Sequence, residues 1–384
     1  MNDIFIDASH FPQAVQLCEI ISGRKLDVKL AKGLTADAVG GTLVFSSLQE
    51  EALGGGQALI GFARSLKPKV VVVIDPNAAR FSVVASLGGK VIHISLPSND
   101  HFGQTVAADI ICADLSKVIA ADPATSSLLT LANRVAQSDV TVFINGPTGT
   151  GKEVLAQFIH DMSSRKAAPF VAINCAAIPE NMLEAVLFGH EKGAFTGASV
   201  ANKGIFRAAN QGTLLLDEIS EMPIGLQSKL LRVLQERKVT PLGGQTEIDV
   251  DVRVLATTNR DMRLEVQEKR FREDLFYRLN VFPIATQSLS ARPLDILPIA
   301  VALLRKHANG LDVIPWLSQD ARGVLVGHDW PGNVRELENV MQRALVLQSG
   351  GVIEVEDIII DVAPMTQMIT SQPAQHAVLS RLSN

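Results

Sequence analysis

The segment Gly146-Pro147-Thr148-Gly149-Thr150-Gly151-Lys152 follows a β-rich run from Val140 to Asn145 and opens a helix at Glu153. A glycine-rich turn between strand and helix leaves backbone N–H groups free to cradle phosphate oxygens, and the helix N-terminus adds positive potential. Lys152 is placed to reach the outer phosphates of a nucleoside triphosphate. Further along, the apolar run Thr213-Leu214-Leu215-Leu216 ends in two carboxylates, Asp217 and Glu218. In-line displacement at phosphorus needs charge neutralisation and a positioned nucleophile, so Asp217 suits a magnesium ligand and Glu218 the group that polarises an attacking water. An isolated acidic pair is commonly just a solvated strand end; the phosphate loop upstream is what gives this one a chemical reading. Between the two motifs lies Gly193-Ala194-Phe195-Thr196-Gly197-Ala198, one ring and one hydroxyl among small residues. That composition holds a tight turn and presents a tip, but it cannot build a core.

These groups need a scaffold. The chain has 384 residues, 47% hydrophobic and 20% charged, enough for two or three domains with cores of their own. Its net charge of -5 lacks the basic footprint of a large nucleic-acid clamp, so charge does not indicate DNA binding. Cys18, Cys112 and Cys175 are far apart and show no CxxC spacing, which argues against a disulfide framework or zinc site and fits a reducing cytoplasm. No apolar run approaches the roughly 18 residues of a bilayer span, and the N-terminus has no basic start of a signal peptide, so a soluble protein that is not exported is expected. Ile4 to Ile6, Leu43 to Phe45, Val70 to Ile74 and Val91 to Ile94 read as strands whose continuous apolar character suits a parallel sheet. Pro123, with Thr125 and Ser126 as capping candidates, is expected to start a helix running through Arg134.

The run Leu187-Phe188-Gly189-His190-Glu191-Lys192 followed by GAFTGA resembles the substrate-contacting loop of bacterial enhancer-binding proteins, AAA+ ATPases that remodel RNA polymerase carrying sigma-54. Roughly residues 122–362 carry the resemblance, with seven motifs in the family's order. It implies an α/β P-loop ATPase core with a helical lid, ATP and Mg2+ as its nucleotide and metal, and a self-assembled ring, expected to be a hexamer. Gly146 through Glu153 would hold the nucleotide; Glu153 stands where most such loops have Ser or Thr but matches this family, whereas Pro147 replaces its usual Glu. Asn174 matches the residue thought to hold Glu218 inactive until the substrate loop engages. Thr258 and Asn259, after the strand Val252 to Thr257, match the sensor that reads the γ-phosphate. Arg272 and Arg278 match the arginine fingers given to a neighbouring subunit. Arg335, after Trp330-Pro331-Gly332-Asn333, matches the second sensor, while Trp330 itself reads as lid core. Where the family usually shows a Leu-Arg-Glu-Arg run, Leu289-Ser290-Ala291-Arg292 keeps only the last arginine, which suggests weaker coupling of core to lid. Phe195 and Thr196, within Gly193 to Ala198, would touch sigma-54.

The chain thus divides into a degenerate receiver-like α/β region at 1–115, a linker at 116–126, the AAA+ core at 127–288, the lid at 289–362 and a tail at 363–384. A response-regulator receiver needs an acidic pair after its first strand and an acceptor Asp ending its third; here Asp7 stands alone and Asp75 comes late, after Gly54-Gly55-Gly56, so Asp75 reads as a turn residue. The likeness of this region to receiver-like domains of flagellar regulators is faint. Most relatives end in a helix-turn-helix domain, and the stretch after Val362, broken by Pro364 and Pro373, is too short for one. The resemblance therefore leaves open an activator working from solution, one working with a DNA-bound homologous activator, or a sequence lacking its last domain. It also leaves two functions: an ATP-driven remodeller of sigma-54 polymerase, or a co-regulator or antagonist acting by binding a DNA-bound homologue.

Overall fold

The computed structural model describes residues 4–24, 26–34, 40–79, 81–98, 100–112, 118–308 and 315–360; the tail expected at 363–384 and the start of the linker lie outside the described residues. The chain runs β1 (Ile4–Asp7), α1 (Ala14–Gly23), β2 (Val28–Ala31), β3 (Thr42–Ser46), α2 (Ser47–Ala52), α3 (Gly56–Ser65), β4 (Val70–Asp75), β5 (Ser82–Ser86), β6 (Val91–Ser95) and α4 (His101–Cys112). It continues through α5 (Pro123–Ala136), β7 (Val142–Asn145), α6 (Lys152–Asp161), β8 (Phe170–Asn174), α7 (Glu180–Phe188), α8 (Gly204–Ala208), β9 (Thr213–Asp217), α9 (Ile224–Glu236), β10 (Lys238–Val239), β11 (Ile248–Asp249), β12 (Arg253–Thr258), α10 (Met262–Gln267), α11 (Glu273–Leu279) and β13 (Phe282–Ala285). A mainly helical segment closes it: α12 (Ile296–His307), β14 (Trp316–Leu317), α13 (Gln319–Gly327), α14 (Asn333–Leu347) and β15 (Val352–Ile353).

The first sheet has the order β2-β1-β3-β4-β6-β5, parallel throughout except that β5 pairs antiparallel with β6 at the edge. Without β5 this is the 2-1-3-4-5 doubly wound order of flavodoxin-like and receiver folds. The four strands anticipated from their apolar runs are all present. β2 and β5 were not read, and both lie at sheet edges where several side chains are exposed, so neither carries a continuous apolar run. Asp75 ends the fourth strand and not the third. The third ends in Ser46, whose hydroxyl accepts from the Gln49 N–H (3.1 Å) and donates to the His10 carbonyl (2.9 Å), capping α2. Asp75 accepts from the Asn77 N–H at 3.2 Å, and Asp7 from the N–H groups of Ser9 (2.8 Å) and Gly33 (3.1 Å). These carboxylates fasten turns.

The second sheet is wholly parallel, in the order β13-β7-β12-β9-β8. Its central strands are buried because helices cover both faces. Leu155 and Ile159 of α6 with Leu129 of α5 pack on one side, and Leu183, Leu230 and Leu275 on the other. α5 starts two residues before the expected caps: Asp122 accepts from the Ala124 N–H at 2.9 Å, and Pro123 fills the first helical position. Thr125 is instead drawn out of the cap, because its hydroxyl donates to buried Asp295. Trp330 is buried in the helical segment and donates its indole N–H to the Leu325 carbonyl at 2.8 Å.

Candidate functional site

Parallel strands deliver their carboxyl ends to one edge of a sheet, where ligands of doubly wound folds bind. Here that edge gathers the loop after β7, Asn174 from β8, Asp217 and Glu218 from β9, and Thr258 and Asn259 from β12. Among the described residues, the N–H groups of Thr148, Gly149, Thr150 and Gly151 donate to no protein acceptor, so they are available to a phosphate. Pro147 contributes no N–H of its own; its carbonyl accepts from the Thr150 hydroxyl at 2.8 Å. Lys152 is 6% exposed and donates to the Gly146 and Pro147 carbonyls at 2.9 and 3.2 Å. Burial holds its amine below the usual range, while Glu218 and Asp217 pull the other way. Glu153 points to solvent in the first turn of α6.

The two carboxylates sit in different surroundings. Asp217 is tied on both oxygens, accepting the Thr257 hydroxyl at 2.5 Å and the Asn174 amide at 3.0 Å. The side chain of Asn174 therefore meets Asp217 and not Glu218, the partner expected from the resemblance. Glu218 has a left-handed backbone, φ 50°, and its N–H donates to Thr257 Oγ1 at 3.1 Å. Burial raises its carboxyl above the usual range; Lys152 opposes this and Asp217 adds to it. A left-handed glutamate at a strand end is a strained arrangement of the kind kept at reacting centres. Magnesium uses one or two protein carboxylates plus substrate phosphates and waters, a donor set that Asp217 beside a phosphate cradle fits.

Asn259 donates to Thr148 Oγ1 at 2.8 Å and so touches the phosphate loop directly. Thr258 does not, since its buried hydroxyl donates to Ser220 at 2.9 Å. Arg272 is paired with its own Asp274 at 2.7 and 3.0 Å, and Arg278 donates to the Leu234 carbonyl at 2.8 Å. Among the described contacts neither arginine reaches the phosphate loop or the carboxylate pair. Arg335, in the first turn of α14, lies against the loop: a Cβ on Gly149 would come within 3.2 Å of the Arg335 Cβ and 2.5 Å of the Gly332 carbonyl. With φ 78° at Gly149, only glycine suits that approach.

The parts played by Asn333 and Asp295 escaped the sequence reading. Asn333 spans core and lid, its amide donating to the Thr148 carbonyl at 2.9 Å and its oxygen accepting the Leu289 N–H at 2.7 Å. Arg292 donates to the Thr150 carbonyl at 2.8 Å and faces Asp295 at 3.5 Å, while Asp295 accepts the N–H groups of Ala121 and Asp122, both at 2.8 Å. The single arginine left of the usual run thus ties lid, linker and phosphate loop together. Nothing in the spacing of Asp295 pointed to this, because its partners lie far away in sequence.

The small-residue loop leaves the fold after α7. His190 and Asn202 close its base with backbone bonds of 3.0 and 2.9 Å, and inside it the Gly193 N–H donates to the Ala198 carbonyl at 2.8 Å. Phe195 is 46% exposed and Thr196 is exposed, while Ala198 is buried. The His190 ring meets Phe195 edge to face at 4.9 Å between centroids. A second projection, the β10–β11 hairpin, braces the first: the Leu242 N–H donates to the Gly189 carbonyl and the Glu191 N–H to the Leu242 carbonyl, each at 2.9 Å. The paired glycines at 243 and 244 were the signal for this turn.

Comparison with known proteins agrees with this architecture. Residues 118–285 match the model of the sigma-54 interaction domain, and residues 290–374 that of an AAA+ ATPase lid domain. The response regulator protein FleR of Pseudomonas aeruginosa is 50% identical over 325 residues, covering 83% of this chain and 68% of FleR. The transcriptional regulatory protein FlbD of Caulobacter vibrioides is 45% identical over 289 residues, 75% of this chain and 63% of FlbD. The regulatory protein AtoC of Escherichia coli is 51% identical over 227 residues, 59% of this chain and 49% of AtoC. The chain thus spans from about half to two thirds of the length of these relatives. The crystal structure of NtrX from Brucella abortus in complex with ADP superposes with a TM-score of 0.59 at 26% identity, covering 97% of this chain and 89% of NtrX.

Proposed function

Since the chain belongs to the sigma-54-dependent transcriptional activators that carry an AAA+ domain, we propose that it hydrolyses ATP in a self-assembled ring and uses the energy to remodel RNA polymerase bearing sigma-54. The observation that carries this reading is the convergence of Lys152, Asp217, Glu218 and Asn259 on one sheet edge, with Asn174 linking Asp217 to the segment that leads through α7 into the exposed Phe195-Thr196 loop.

ATP is the substrate. Its phosphates would lie on the free N–H groups of Thr148 to Gly151, with Lys152 leaving the Gly146 and Pro147 carbonyls to reach them. Magnesium, held through Asp217, would supply charge neutralisation at the transferring phosphoryl. Glu218 would orient the attacking water; its raised carboxyl makes it a better proton acceptor than a solvated glutamate. Asn259 would sense the terminal phosphate from its place against Thr148. Among the described residues Arg272 and Arg278 make no contact with their own site, which fits their service to a neighbour's site and would make turnover depend on assembly.

Coupling to the partner follows from the carboxylate edge. Asn174 Oδ1 accepts the Ala176 N–H at 2.8 Å while its amide holds Asp217, so a change at the phosphates alters the turn that enters α7 and, beyond it, the loop. Phe195 and Thr196 would then contact sigma-54 in one nucleotide state and withdraw in another.

The test is hydrolysis against protein concentration, with and without sigma-54 polymerase, in wild type, Lys152→Ala and Thr196→Ala. Specific activity should rise with assembly and vanish in Lys152→Ala, while Thr196→Ala should keep hydrolysis and lose open-complex formation. Hydrolysis that is flat with concentration, or open complexes surviving in Thr196→Ala, would sink the proposal.

A further inference from the structure

Helix α12 of the lid has two working flanks. Ile299, Ala302, Leu303 and Lys306, spaced to share one face, line a cleft of about 750 Å³ whose opposite wall carries Thr150 and Gly151 of the phosphate loop. The other flank packs on α4 of the N-terminal receiver-like region, where Val301 and Leu304 join one apolar cluster with Val106, Ile110 and Ile111. The contact has a polar centre: Arg305 of α12 donates to the Asp109 carbonyl at 3.3 Å, and the Asp109 carboxylate meets Arg24 at 2.5 Å. Aromatic stacking fastens its rim, Phe81 lying 4.0 Å from Trp316 with 15° between planes, and Phe102 at 5.1 Å from the same indole. Asp109 and Arg305 also line the large cleft, and so do Val118 and Ile119, which follow closely after α4 ends at Cys112.

We propose that the N-terminal region is part of the nucleotide site: α4 contributes Asp109 to the wall of the cleft, and its docking on α12 sets the lid position, so that docking and nucleotide binding are one coupled equilibrium. This rests on the reading of the cleft as the nucleotide site. The physical basis is that a helix moves as a body. A shift of α12 that closes the lid on nucleotide must carry α4 with it or shear the Phe81–Trp316 stack, and undocked α4 removes Asp109 from the wall and frees Val118 and Ile119. Input through this route needs no phosphorylated aspartate, in keeping with Ser46 at the end of the third strand. Linkage makes the effect reciprocal: docking strengthens nucleotide binding by the factor by which nucleotide strengthens docking.

The experiment uses the full chain and a fluorescent N-methylanthraniloyl derivative of ADP. Phe81 touches the lid but not the large cleft, so Phe81→Ala perturbs docking without touching the nucleotide site. Undocking is read from amide hydrogen exchange of α4, which should lose protection as it leaves α12. The dissociation constant should weaken about fivefold or more, the lower end of ordinary coupling, and added ADP should restore part of the α4 protection. Should exchange show the single variant still docked, Phe81→Ala/Phe102→Ala gives the reading. An undocked variant that binds ADP as tightly as wild type, or more tightly, overturns the proposal. Lys152→Ala separates the premises: wild type that binds no better than Lys152→Ala refutes the nucleotide reading of the cleft itself.

Discussion

Asn333 bonds the phosphate loop through its amide and the start of the lid through its oxygen, and replacing it measures how much of the site depends on that junction. Its side chain satisfies the Thr148 carbonyl at 2.9 Å and the Leu289 N–H at 2.7 Å, and the residue is 2% exposed. Asn333→Ala leaves the buried Leu289 N–H without a partner, while the Thr148 carbonyl, on an exposed residue, can turn to water. The buried N–H costs about 1–3 kcal/mol when left unsatisfied, and a left-handed backbone at φ 54°, which asparagine tolerates, adds about 1–2 kcal/mol for alanine. The sum is about 2–5 kcal/mol at one contact by those two terms, against a total stability of about 5–15 kcal/mol for an ordinary domain. Urea unfolding followed by the buried Trp330 of the same lid reports it. Asn333→Gly should recover about 1 kcal/mol relative to alanine, because only the backbone term is relieved. Asn333→Asp keeps the acceptor for Leu289 but sets a carboxylate oxygen against the Thr148 carbonyl, so it should harm nucleotide affinity more than its stability loss suggests. If Asn333→Ala unfolds within about 1 kcal/mol of wild type, the unsatisfied-group reasoning fails, and the lid is held by its other contacts, the Arg292–Thr150 and Val334–Gly149 bonds among them.

Three further outcomes follow from the geometry. A Cβ on Gly243 would lie 2.9 Å from the Ala194 Cβ at a φ of 73°, so Gly243→Val should displace the presented loop and lower open-complex formation at least tenfold, about 1.4 kcal/mol or more, with ATP hydrolysis retained; equal loss of both activities would place the hairpin in the hydrolysis machinery instead. Burial raises the Asp109 carboxyl from its ordinary 3.8 to about 6, with Arg24 opposing; because the folded state binds the proton more tightly, stability is greatest below the ordinary value and is lost as pH rises through about 6. Relative to Asp109→Asn, wild type should lose about 3 kcal/mol at most across that window, and parallel pH profiles in chemical denaturation would contradict it. Arg272→Ala and Glu218→Gln should each be inactive alone, and mixing them should restore part of the ATPase activity, because a site between two such subunits combines an intact Glu218 with a neighbour's Arg272; a mixture as inactive as its parts would show that Arg272 acts within its own subunit.

What the sequence made legible was what is contiguous. The phosphate loop, the Asp217-Glu218 strand end and the small-residue loop are runs whose neighbours in sequence are their neighbours in space, so residue type and spacing state their chemistry directly. The four apolar strands of the first sheet were readable for the same reason, as buried parallel strands need continuous apolar runs. Asn333 and Asp295 were opaque because their meaning lies in partners about 170 or more positions away: Thr148 for one and Ala121, Asp122 and Thr125 for the other. Topology decided the fate of Asp75, since an inconspicuous edge strand, β2, and the order of pairing had to be known before Ser46 could be identified at the end of the third strand. Asn174 shows the limit of motif transfer most clearly. A matching asparagine at a matching strand end was expected to restrain Glu218, yet the parallel register sets Asn174 opposite Asp217, and the amide bonds there. In the proposed function, a residue that braces Asp217 would transmit a change in that carboxylate's position to the turn before α7, whereas one that braces Glu218 would gate the chemistry itself. On the proposed function, this register puts Asn174 on the Asp217 side of the site, so the signal to the loop would follow metal and phosphate release rather than water activation.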